Sequence, residues 1–168
     1  LAACGYGDDK GIMAFGSGVT NLSNLVSNEG VVASDGTGVG TARHFLAACT
    51  YDTDKGIFGF GSTGSNTNLS NLVSNSGVVA SDTSGVGTSR SALAACGYGE
   101  DKGIFAYGYL ASSAVTNVSN IVSNLGVVSS DVTGVGTARQ SLGGAAYGGD
   151  KGIFYSGTTA DSNLVSNT

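Results

Sequence analysis

The chain has 168 residues, a formal net charge of −5 and a pI near 4.4, with 29 glycines, no proline, no tryptophan and 11% charged residues. So few charges beside 40% hydrophobic residues exclude charge-driven disorder, and glycine without a three-residue period and without proline excludes a collagen-like chain. The acidic balance argues against a nucleic-acid partner, and no apolar run approaches the ~18 residues that span a membrane.

Taken in order, the chain repeats itself. Leu1-Ala2-Ala3-Cys4-Gly5-Tyr6 returns at Leu46–Tyr51 and Leu93–Tyr98, and in altered form at Leu142–Tyr147. Each start is followed by Asp-Lys-Gly-Ile, then by a Ser-Asn phrase; the complete units continue with Gly-Val-Val, an Asp, a Gly-Val-Gly-Thr run and an Arg. The repeats are 1–45, 46–92, 93–141 and an incomplete 142–168, all within one domain. Their lengths differ mainly in the Gly/Ser/Thr stretch after the aromatic segment (17–21, 62–68 and 109–117), as expected of a surface loop.

In the third unit, the runs Ser91–Tyr98, Lys102–Tyr109, Asn117–Asn124 and Gly126–Asp131 are rich in β-branched and aromatic residues. Gly, Asn, Ser and Asp separate them, which predicts four short strands in an antiparallel meander. Glu100–Gly103 and Asn124–Gly126 are the predicted tight turns. Glycine interrupts every segment and no apolar helical stripe outlasts two turns, so helices are disfavoured.

Tandem four-stranded units of about 47 residues predict an all-β fold, a β-propeller with three complete blades and a truncated fourth. The small Ala2-Ala3-Cys4 strand suits the crowded inner position, and bulky Ile12–Phe15, Ile57–Phe60 and Ile104–Tyr107 suit packing between blades. In unit length and strand count the chain resembles WD-repeat, kelch and hemopexin-like propellers. It lacks their Trp-Asp and Gly-Gly signatures. Its Tyr-Gly-x-Asp-Lys-Gly-Ile-Phe and Asn-Leu-Val-Ser-Asn-x-Gly-Val-Val phrases resemble repeats of uncharacterised phage and environmental proteins.

Tyr6, Tyr51, Tyr98 and Tyr147 close the first strands beside Asp9, Asp54, Asp101 and Asp150 of the Asp–Lys turns. Tyrosine beside carboxylates is a chemistry that binds sugars, and repetition would add avidity. Asp35, Asp82 and Asp131 each precede an arginine by eight residues (Arg43, Arg90, Arg139), which predicts structural ion pairs at the crossovers. Cys4, Cys49 and Cys96 share one repeat position without metal-ligand spacing, so no metal is expected and free thiols are. Such thiols favour a reducing compartment, or a virion assembled in one. His44 is the single histidine, and a Cys–His nucleophile with Cys49 lacks an orienting group. Asn21, Asn68 and Asn117 open Asn-x-Ser acceptor patterns, read as polar faces of the third strand.

The expected function is therefore a non-enzymatic binding or structural propeller without cofactors, a virion or cell-surface component recognising glycans or proteins. A purely architectural module is the first alternative, and a propeller hydrolase or lyase the second. The unfinished fourth unit leaves blade faces uncovered, which predicts a homo-oligomer, most simply two chains closing one ring of about eight blades.

Overall fold

Small side chains ending in tyrosine, a Gly/Asp turn, a bulky Ile-Phe strand and an Asn/Ser/Val strand give every unit the same hairpin-plus-strand geometry. The computed structural model describes residues 1–167 as four three-stranded antiparallel sheets in chain order. The first sheet holds β1 (Ala2–Tyr6), β2 (Lys10–Gly16) and β3 (Thr20–Val26), and the second β4 (Ala47–Tyr51), β5 (Lys55–Gly59) and β6 (Ser70–Val73). The third holds β7 (Ala94–Tyr98), β8 (Lys102–Tyr109) and β9 (Val115–Val122), and the fourth β10 (Gly143–Tyr147), β11 (Lys151–Tyr155) and β12 (Ser162–Val165). The register is identical throughout, with Cys4, Cys49, Cys96 and Ala145 opposite Ile12, Ile57, Ile104 and Ile153. The tolerant loop of the third unit carries one 3-10 turn, Ala111–Ser113.

The expected fourth strand is not a continuous strand. In the first unit the Ser27 hydroxyl accepts the Glu29 and Val31 N–H groups and tightens the turn, and Ala33 N–H then reaches Leu25 O at 2.8 Å. The Asn24 side chain next takes Ala33 O at 3.1 Å, where a backbone donor would have continued the ladder. Asn71 and Asn120 do the same to Ala80 O and Ser129 O. Only separated backbone pairs remain, Val26 with Val32 and Ser23 with Gly36 in the first unit.

The sheets pack in succession. Strand β1 lies on β4, β4 on β7 and β7 on β10, and each of these first strands also touches the second strand of the next sheet. No comparable packing joins β1 to β10 among the described residues, so the array is open. We call the face toward the following sheet the front and the opposite face the back. One core joins front residues Tyr6, Ile12, Ala14 and Phe15 to Leu46, Phe58 and Val73 of the second unit, and equivalent cores fill the next two junctions.

Two devices set the spacing. A cysteine on each first strand fills a notch at a glycine of the next sheet, pairing Cys4 with Gly56, Cys49 with Gly103 and Cys96 with Gly152. A Cβ on Gly103 or Gly152 would come within 2.6 Å of the sulfur. The second device is a bulge. Phe15, Phe60 and Tyr107 have left-handed backbones (φ 61, 62 and 64°) ahead of Gly16, Gly61 and Gly108. The pairing shifts there in the first and third sheets. The bulge turns each ring to the front face, where it meets Phe58, Phe105 or Phe154 edge-on at 5.2–5.6 Å between centroids.

Candidate functional site

Three kinds of polar assembly arise from the repeat: the sheet junctions, the turn edge and the linker edge.

At the junctions, Arg43, Arg90 and Arg139 are fully buried. Arg90 donates from Nε to Tyr107 O at 2.8 Å, from Nη1 to Thr88 O at 3.1 Å and from Nη2 to Asn120 Oδ1 at 2.7 Å. Its guanidinium lies 4.1 Å from the Phe60 ring centre. Arg43 repeats this with Phe60 O, Thr41 O, Asn71 and the Phe15 ring. Each arginine thus staples an aromatic ring of one sheet to the backbone and an asparagine of the next. Burial lowers the Arg43 and Arg90 pKa values to about 10, against the pull of Asp82 and Asp131.

The acid partner is therefore not the one eight residues earlier. Arg43 Nη1 lies 3.8 Å from Asp82 of the following unit, while Asp35 accepts from Asn24 of its own sheet at 2.9 Å. Eight extended residues span roughly 25 Å, so the linker carries each arginine away from its sequence neighbour and onto the next sheet. Asp82 takes the Thr41 hydroxyl at 2.6 Å and the Asn71 amide at 2.9 Å; Asp131 takes Thr88 and Asn120 likewise. Arg139 instead meets Asn163 at 2.9 Å.

Partial burial raises the carboxyls of Asp82 and Asp131, but the threonine and asparagine donors outweigh it and hold them below the usual carboxylate range. A depressed native pKa contributes stability above the unfolded value, about 3.9, that is lost as pH falls through the native value. The denaturation midpoint is thus expected to fall below about pH 4. In Asp82→Asn/Asp131→Asn this acid limb flattens relative to the parent chain, as measured by denaturant titration at successive pH values.

The turn edge holds the predicted ligand residues. Lys10, Lys102 and Lys151 pair with Asp9, Asp101 and Asp150 at 2.6–3.1 Å, but Lys55 pairs with Asp52 rather than Asp54. Asn28, Asn124 and Asn167 donate to Asp9, Asp101 and Asp150, so these carboxylates clasp their own units. Tyr6 and Tyr51 are buried between sheets, Tyr98 is half-buried and only Tyr147 is exposed. Burial thus leaves the Tyr6 and Tyr51 rings without an open stacking face for a sugar. Asn21 on β3, Asn117 on β9 and Asn68 just ahead of β6 donate to Gly40 O, Gly136 O and Gly87 O at 2.7 Å, which fastens the linkers to their sheets.

The cysteines are free thiols, with Cys4 and Cys96 pushed up to about 12 by burial and Cys49 held well above the usual thiol range for the same reason. Cys49 is enclosed against Gly103 and does not line the cleft that holds His44. The two are not arranged as a nucleophile and base.

The linker edge carries no recognisable motif in the sequence. Linker residues of successive units ladder together, with Ala92 N–H on Phe45 O and Ser141 N–H on Ala92 O, both at 2.8 Å. All three have left-handed backbones, φ 50–57°. Beside this ladder lies an open cleft of about 540 Å³, within the range of small-ligand sites. His44, Phe45, Asn66, Ser91, Tyr109 and Gln140 contribute to its lining, which contains no Asp, Glu, Lys or Arg. Phe45 is 62% exposed, and His44 Nδ1 is buried without a hydrogen-bond partner. An aromatic, Phe45, at a repeat position where the next units have Ala92 and Ser141 was the available signal. No protein-family model matches the chain, and no curated protein matches it.

Proposed function

We propose that the chain is a non-enzymatic repeat scaffold, an arc of a β-propeller-like fan, whose working surface is the linker-edge cleft and whose ligand is a neutral glycan. The fan is supported by the packing of neighbouring sheets, closest along their first strands. The carrying observation for the ligand is the cleft itself: an exposed Phe45 ring beside the uncharged groups of Asn66, Ser91 and Gln140. An aromatic face stacks on sugar C–H groups, amides and hydroxyls fit sugar hydroxyls, and a lining without Asp, Glu, Lys or Arg favours a neutral ligand. The glycan reading thereby moves from the tyrosine turns to the opposite linkers.

A glycan array tests it. The parent chain is expected to retain neutral glycans, and Phe45→Ala to weaken retention about tenfold or more, as for a stacking contact of roughly 1.5 kcal/mol. Ala92 holds the same repeat position with the same left-handed backbone, so this variant keeps the fold. No retained glycan, or equal retention by Phe45→Ala, would sink the proposal. The second reading, a purely architectural module, is favoured by the junctions, where the buried charges hold sheet to sheet.

A further inference from the structure

Each internal junction has a donating and a receiving side. The donor supplies a cysteine from its first strand and a Thr-x-Arg segment from its linker. The receiver supplies a glycine notch and an asparagine whose Oδ1 takes the arginine and, at the first two junctions, an aspartate that takes the threonine N–H and hydroxyl. In the second and third sheets the asparagine is preset by donating to the aspartate and to one carbonyl, at 2.9 and 3.0 Å for Asn71 and 3.0 and 3.0 Å for Asn120.

The back of the first sheet has the same receiving set, unfilled. Asn24 donates to Asp35 and Ala33 O at 2.9 and 3.1 Å, matching the filled sites. Its exposure differs: Asn71 and Asn120 are 0% exposed, while Asn24 is half-buried. The notch glycine, Gly11, meets no cysteine sulfur, unlike Gly56, Gly103 and Gly152. Val32 is 53% exposed, while its counterparts Val79 and Val128 pack into the cores.

We propose that the back face of the first sheet is a docking surface for another repeat unit of this type, one with a first-strand cysteine and a Thr-x-Arg linker, the Arg reaching Asn24 and the Thr reaching Asp35. The chemistry is that of an uncharged amide oxygen and a carboxylate spaced for a guanidinium and a hydroxyl. A second copy of the chain does not supply it, because Arg43, Arg90 and Arg139 are all engaged internally. The front of the fourth sheet also differs from the donors, having Ala145 at the cysteine position and Tyr155 against Gly143. This inference is independent of the glycan reading, whose test leaves Asn24 and Asp35 untouched.

The test duplicates residues 1–45 ahead of Leu1 in the full chain. The added unit is expected to lower the unfolding equilibrium constant of the original first sheet about tenfold or more, read by native-state hydrogen exchange. Asn24→Ala/Asp35→Ala in the receiving unit should erase that gain, yet change the unextended chain little. No gain, or a gain indifferent to these substitutions, would overturn the proposal. A peptide matching residues 36–45, added at millimolar concentration to the unextended chain, should shift the NMR signal of the Asn24 side-chain amide but not in Asp35→Ala; no shift counts against the proposal. A stable dimer of the unextended chain that Met13→Asp abolishes would give the face to a second copy and overturn it.

Discussion

Arg90→Ala is expected to destabilise the chain by about 3–5 kcal/mol, the range for removing one partner from a buried charged network. The substitution strands Tyr107 O, Thr88 O and Asn120 Oδ1, removes the cation from the Phe60 face and leaves Asp131 without its counter-charge. Arg90→Lys should recover little, because an ammonium on a flexible stem cannot hold three divergent acceptors and stack on a ring. Asp131→Ala should cost less, about 1–3 kcal/mol, since that carboxylate sits at the exposed rim. Denaturant unfolding followed by circular dichroism gives the comparison. An Arg90→Ala midpoint equal to that of the parent would refute the staple.

Gly103→Ala is expected to destabilise by about 1–3 kcal/mol through overpacking, although its backbone is one that alanine adopts freely. The new Cβ would meet the Cys49 sulfur at 2.6 Å, and Val122 of the same sheet closes the other side at 3.4 Å. Neither neighbour has room to retreat, because Cys49 and Val122 are buried in one core. Cys49→Ala alone leaves a small cavity and should cost about 1 kcal/mol. Combining the two should cost less than their sum, with a coupling of at least about 0.5 kcal/mol. Strict additivity in the double-mutant cycle would show that the notch does not hold the two sheets in register.

The all-β class and three strands per unit were legible because they are local. Lys102–Tyr109 is a strand as the pattern predicted, and the first and third strands differ from prediction only at their ends. Small residues suit the first strand to a crowded inner position, whereas in the structure its cysteine fills a glycine notch of the next sheet. The fourth strand was misread because a β-branched composition reports side-chain preference, while Asn24, Asn71 and Asn120 act on backbone acceptors that composition does not show.

By itself the sequence determined an all-β tandem repeat, the free thiols and the recurrence of one arginine per linker, since each follows from composition and period. Only the tertiary structure decided the partners. Plain alternation would put Phe15 on the face of Met13, and the bulge at Phe15–Gly16 turns it to the opposite one. Asp35 and Arg43 are eight residues apart in sequence, but an extended linker separates them and brings Arg43 to Asp82. The same stacking of linkers gathers His44, Phe45, Ser91 and Gln140 around one cleft. These residues come from different repeats, so no local pattern joins them; they meet because each sheet is held in fixed register on the one before.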